Sequence, residues 1–269
     1  MKRIIALLLA AVTCLTLSAC GDGSAGNGTE GKNGGGDLAY IKNKGTLVVG
    51  VTEFEPMNYL DADGNWLGFD TEMAAAFAKS IGVEVEFRLI EWGDRFDLLK
   101  DKTIDVVWNG MTLSDEVKNA METSKPYFNN AQVVIVKADA ADKYSTVESL
   151  ADASFAVQGG STSQKQADDH GFSYTEVSDQ AEALQKVSDG AADAAVVDFL
   201  LAISMTGEGT DHDDLIHTVS LSSEEYVVGF RKGSDMTAVL NDFFAAEYAN
   251  GNMQSVARSY GIAAFLLAQ

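Results

Sequence analysis

The residues best placed to do chemistry sit where apolar runs give way to small and hydroxyl residues. Ile104-Asp105-Val106-Val107-Trp108-Asn109-Gly110-Met111-Thr112 begins like a buried strand and breaks at Asn109-Gly110, a turn signal. Ser114 then offers a helix cap, and Asp115 and Glu116 suit a helix N-terminus. A strand feeding a helix through a glycine turn is where open α/β sheets bind ligands, at the strand's carboxyl end. A weaker echo follows in Gly190-Ala191-Ala192-Asp193-Ala194-Ala195-Val196-Val197-Asp198, so two similar units share the chain. A third stretch, Gln158-Gly159-Gly160-Ser161-Thr162-Ser163, turns into a helix whose free N–H groups suit a carboxylate. Hydrolytic and zinc motifs do not occur: there is no Gly-x-Ser-x-Gly elbow, and His170, His212 and His217 are scattered. Asp211-His212-Asp213-Asp214 reads as an acidic surface loop. Neither a metal nor a cofactor is expected.

The elements that must hold these residues alternate. Strands are expected over 46–51, 83–89 and 104–109, with helices over 70–81 and 95–100 between them. After Pro126-Tyr127 a strongly apolar strand covers 131–136, and a second cycle follows. Strands over 154–157, 174–177 and 194–197 alternate with helices over 164–169 and 179–189. A strand over 225–230 and helices over 237–250 and 253–260 close the chain. This β-α-β-α-β order, twice, predicts mostly parallel sheets covered on both faces.

Composition narrows the partners. A net charge of −21 leaves no Lys/Arg stripe for phosphates, so nucleic acid is excluded. The N-terminus reads as an export signal, with Lys2-Arg3 followed by an apolar run from Ile4 to Leu17 that is too short for a stable span. Leu17-Ser18-Ala19-Cys20 resembles the lipobox of bacterial lipoproteins. That resemblance implies removal of 1–19 and a lipid on Cys20. Cys14 would leave with the signal, so no disulfide is expected in the mature chain. Residues 21–37 hold eight glycines and read as a flexible tether.

Beyond the tether the chain resembles the extracellular solute-binding proteins of ABC importers, in the polar amino acid-binding branch. The matching pieces are Gly45-Thr46-Leu47-Val48-Val49-Gly50, Gly68-Phe69-Asp70, Trp92, Asp105 with Asn109-Gly110-Met111-Thr112, and Ser124-Lys125-Pro126-Tyr127. Later come Gln158-Gly159-Gly160-Ser161-Thr162, Asp193, Val196-Val197-Asp198 and Gly229-Phe230-Arg231-Lys232-Gly233. The resemblance implies an α/β, two-lobed periplasmic-binding-protein fold (type II-like) with two hinge crossovers, near 131–136 and 225–230. Lobe 1 would then comprise 38–130 plus 225–269, and lobe 2 residues 131–224. It also implies a monomer, lipid-anchored on the extracytoplasmic face of the cell membrane, that hands a small polar solute to permease subunits.

The family pattern puts Phe54 over the ligand and Trp92 beside it as a second wall. Asn109, Gly110, Met111 and Thr112 form one polar edge, and Gly160, Ser161 and Thr162 the carboxylate-facing edge. Asp198 pairs with the α-ammonium group. Glu53, Tyr59 and Arg95 are further candidates, whereas Asp105 and Asp193 read as structural. The family usually carries an Arg on the ligand's carboxylate where this chain has Val117. Two resolutions stay open: Arg95 reaches across, or the ligand is a cationic amine or derivative lacking a free carboxylate. A non-transport sensory lipoprotein and a dehydratase-like enzyme are the readings from other classes, and no catalytic residue is assigned.

Overall fold

The computed structural model describes residues 36–269. The signal segment, Cys20 and nearly all of the tether lie outside the described residues. In the first lobe the elements are α1 (Asp37–Lys44), β1 (Thr46–Val51), β2 (Tyr59–Leu60), β3 (Trp66–Leu67), α2 (Phe69–Ser80), β4 (Glu84–Leu89), α3 (Arg95–Lys100), β5 (Val106–Thr112), α4 (Asp115–Ala120), β6 (Met121–Thr123) and β7 (Phe128–Asn130). In the second they are β8 (Gln132–Lys137), β9 (Ser154–Gln158), α5 (Thr162–His170), β10 (Ser173–Val177), α6 (Gln180–Ser188), β11 (Ala194–Asp198), α7 (Phe199–Met205) and β12 (Leu215–Ser220). The chain then returns to the first lobe with β13 (Glu224–Arg231), α8 (Met236–Ala249) and α9 (Asn252–Ser259).

The two sheets share a plan. The first runs β4-β1-β5-β13-β6, with β7 also on β13; the second runs β10-β9-β11-β8-β12. In each, three parallel strands meet an antiparallel one, β13 against β5 and β8 against β11. β5 and β11 therefore occupy equivalent places, as their sequence echo implies. Thr46-Leu47-Val48-Val49-Gly50-Val51 is apolar throughout because β1 is covered on both faces. α2 turns Met73, Ala74 and Phe77 onto one side of the first sheet, where Phe77 meets Trp108 and Phe243. On the other side Leu99 of α3 and Val117 of α4 pack with Met111 and Met121.

Three expectations change. The strand does not end at Asn109-Gly110: β5 continues to Thr112, with Gly110 at φ 54° and the pairing to β13 shifting between Val227 and Gly229. A bulge takes up the extra residues, which the Asn-Gly pair mimics in sequence. The crossings between sheets are also shorter than the segments expected for them. β8 and β13 are sheet strands, and the chain passes over at Ala131 and at 221–223. Finally, the acidic loop is not wholly at the surface, because His212 is buried and its Nδ1 lies 3.4 Å from Ser188 Oγ. Among the described residues no helix is long and apolar enough to cross a membrane.

Candidate functional site

The carboxyl ends of the parallel strands of both sheets face one cleft, as the topology of open α/β sheets requires. Thr52, Phe54, Trp92, Asn109, Gly110 and Thr112 line it from the first lobe. Gln158, Ser161, Thr162, Gln180 and Asp198 line it from the second. The lobes close to a cavity of about 20 Å³.

The first-lobe wall is built on the β5 bulge. Asp70, in the first turn of α2, accepts the N–H of Gly110 at 2.7 Å, the indole N–H of Trp108 at 3.1 Å and the hydroxyl of Tyr127 at 2.9 Å. Burial raises this carboxyl to about 7. Asn109 is held within its own lobe: its Oδ1 accepts from Thr52 N and Asn58 Nδ2, and its Nδ2 donates to Thr52 Oγ1 at 2.6 Å. Phe54 lies directly on Gly110, where a Cβ would come within 2.6 Å of Phe54 Cε1. Its ring meets Tyr226 edge-on at 6.3 Å.

Across the cleft, Ser161 caps α5 by accepting the N–H of Gln164, leaving Thr162 at the first helical position. Asp198, at the end of β11, is 5% exposed. Its carboxylate accepts from Asn130 Nδ2 at 2.5 Å, Tyr226 Oη at 2.7 Å and Gln180 Nε2 at 2.5 Å. Every one of these donors is neutral. Burial pushes the Asp198 carboxyl above the usual range.

A second carboxylate sits behind the first. Glu224, where β13 leaves the crossover, accepts from Thr112 Oγ1 at 2.9 Å, Asn130 Nδ2 at 2.7 Å and Gln132 Nε2 at 2.7 Å. Burial, reinforced by the charge of Asp198, raises it to about 8. The one amide of Asn130 therefore serves both acids.

Some sequence candidates stand elsewhere. Met111 points into the apolar layer with Val117 and Met121, because alternate side chains of β5 face opposite sides of the sheet. Tyr59 packs edge-on against Tyr260 at 6.4 Å, away from the cleft, and Glu53 is exposed. Gly160 is at the rim: its N–H goes to Gln164 Oε1, and its carbonyl accepts from Arg95 Nη1 at 3.2 Å. Arg95 thus reaches across the lobes, but to backbone at the rim; its guanidinium lies over Trp92 and Phe96 at 4.6 and 4.2 Å. Burial lowers it to about 10. Asp105 and Asp193 anchor strand starts, through Val48 N and Ser154 N.

Thr52 and Gln180 escape the sequence reading, as do the supporting Asn130, Gln132 and Glu224; Gln158 and Asp70 enter it only as matching pieces, with no role at the site. Gln158 closes the parallel strand β9 and Gln180 opens α6 just after the parallel strand β10, places that strand order alone could have flagged. Glu224 gives no such signal, because its three partners come from three other strands, β5, β7 and β8.

Comparison with known proteins gives the family and the fold. Residues 47–263 match the family model of bacterial extracellular solute-binding proteins, family 3. The chain is similar to the arginine-binding extracellular protein ArtP of Bacillus subtilis, with 26% identity over 97% of this chain and 98% of that protein. It is also similar to the L-cystine-binding protein TcyA of Bacillus subtilis, with 31% identity over 87% of each. Among solved structures, holo ArgBP from T. maritima superposes with a TM-score of 0.71 at 31% identity, covering 76% of this chain and 91% of that one. With two α/β lobes, a cleft at their strand ends and a family match over most of its length, the chain belongs to the bacterial extracellular solute-binding proteins of family 3.

Proposed function

We propose that this chain captures an amino acid between its lobes, with the α-ammonium group on Asp198, and presents the closed form to an ABC permease. The family's members bind amino acids for such transporters; the assignment of roles to single residues is our own reading. Asp198 carries it. A buried carboxylate at the cavity wall, served by amides and a hydroxyl only, lacks a counter-charge that an ammonium group supplies. The ligand's carboxylate falls to the first-turn N–H groups of α5 beside Ser161 and Thr162, and to Thr112. Phe54 and Trp92 exclude water over the ligand and favour positive charge against their faces. Closure is a hinge motion at the crossovers, and the ligand shifts the population by bridging both lobes. The chain binds without turnover.

A screen of the purified protein by thermal shift tests this. An amino acid that binds only the native state raises the melting midpoint with its concentration. Arginine and cystine, the ligands named for the relatives, come first. No shift from any amino acid contradicts the reading. A second reading, an amine without a free carboxylate, is favoured by a cavity wall that holds Asp198 but no Lys or Arg. A shift by amines alone selects it.

In the same reading Cys20 carries a lipid, and 21–37 tethers a monomeric body to the extracytoplasmic face. Cys20→Ser then moves the protein from the membrane to the soluble fraction; retention in the membrane contradicts the anchor.

A further inference from the structure

We infer that Glu224 is a specificity-determining residue: with Asp198 it forms a two-carboxylate seat that selects ligands of net positive charge over neutral ones of the same shape. This role rests on capture of the ligand at Asp198 and adds the charge class of that ligand.

The two acids are joined by one side chain. Asn130 Nδ2 stands 2.5 Å from Asp198 Oδ1 and 2.7 Å from Glu224 Oε1, so the carboxylates share a donor and feel each other at short range. Their remaining donors are Gln180 and Tyr226 on Asp198, and Thr112 and Gln132 on Glu224, all uncharged. No described Lys, Arg or His forms an ion pair with either acid. The other titratable groups nearby do not balance them. Tyr226 and Tyr127 are buried and held neutral, their hydroxyls raised well above the usual range by burial. Lys118 from α4 and Glu225 from β13 border the outer depression that Glu224 also borders, and Lys118 pairs there with Asp115 at 3.4 Å rather than with Glu224.

One ammonium group compensates one carboxylate. The second must be met by another positive charge on the ligand or by a proton on Glu224. A zwitterion brings its own carboxylate with its ammonium, so it leaves Glu224 protonated. A net cation lets Glu224 ionise and, below its raised value of about 8, expels that proton on binding. Thr112 places this charge beside the ligand, because it lines the cavity and donates to Glu224 Oε1 at 2.9 Å.

The test uses the full-length protein and shape-matched pairs of a cation and a neutral zwitterion: arginine with citrulline, and lysine with norleucine. Isothermal titration at pH 8.5 should find the cation of at least one pair bound about 30-fold tighter than its isostere, and Glu224→Gln should cut that preference to about 3-fold, the scale of one buried charge at short range. Titration of wild type at pH 7 in buffers of different ionisation enthalpy should show up to about one more proton released with the cation than with its isostere, a difference that cancels any proton displaced from Asp198 and is independent of whether the variant folds. Equal affinity within each pair that binds overturns the role of Glu224 and leaves capture standing. So does a preference unchanged in a folded Glu224→Gln, or equal proton release with the cation and its isostere. Failure of every compound to bind overturns both.

Discussion

Asp70 accepts the backbone N–H of Gly110 at 2.7 Å, tying the start of α2 to the bulge in β5 that forms one wall of the cleft. A helix N-terminus thereby fixes a strand distortion. The peptide of Gly110 is held in place with φ at 54°, and Phe54 lies against its bare Cα side. Gly110→Ala brings a Cβ to 2.6 Å from that ring in a backbone region that L-residues avoid. Thermal or urea unfolding should show a loss of about 1–3 kcal/mol, with weaker ligand binding. An unchanged midpoint and affinity would show that the bulge is not rigid.

Thr112→Val should weaken binding more than Tyr59→Leu. Thr112 lines the cavity and donates to Glu224, whereas Tyr59 packs on Tyr260 away from the cleft. Removing the hydroxyl leaves a buried acceptor short of one donor, a cost of about 1–3 kcal/mol. Calorimetry of the two variants decides, and the reverse order would mean that the pocket has been misplaced.

Arg95→Ala should speed ligand release. Arg95 Nη1 donates to Gly160 O of the opposite lobe, and its guanidinium covers Trp92 at the rim. Loss of that cross-lobe contact should raise the off-rate about 10-fold, the scale of one charged hydrogen bond, with little change in on-rate. Stopped-flow fluorescence measures both, and an unchanged off-rate would remove Arg95 from closure.

The unliganded protein should lose stability as pH rises from about 4.5 toward 8. Glu224, raised to about 8, keeps a proton in the folded state that the unfolded chain has already released. The native state then binds more protons than the unfolded one, so stability falls with pH across that window. Asp70, raised to about 7, adds in the same direction. Glu224→Gln should flatten the decline in melting midpoint; a decline as steep as wild type would place Glu224's proton elsewhere.

How much of the fold and the site is legible in sequence follows the physics of each element. β1 is found to the residue because an uninterrupted apolar run between polar flanks has few other readings. Asp198, Thr112, Phe54 and the Ser161-Thr162 turn are placed by the family pattern, and all of them reach one cavity. β12 and α7 are missed: Leu215-Ile216-His217-Thr218-Val219-Ser220 alternates weakly, and α7 starts on Asp198 without a side-chain cap. The acid pair is illegible for a different reason. Asn130, Gln132 and Glu224 meet only because the chain crosses between the sheets twice at the same place, and no local periodicity records a long-range meeting.

The central claim is that Asp198 supplies the counter-charge for the ligand's ammonium group. The direct measurement is calorimetric titration of Asp198→Asn with whichever ligand the thermal-shift screen finds, alongside its melting curve. The side chain keeps its shape and loses its charge. The expected result is a folded protein whose affinity falls about 100-fold or more, as for a buried charge pair broken on one side. A folded Asp198→Asn that binds as tightly as wild type would contradict it.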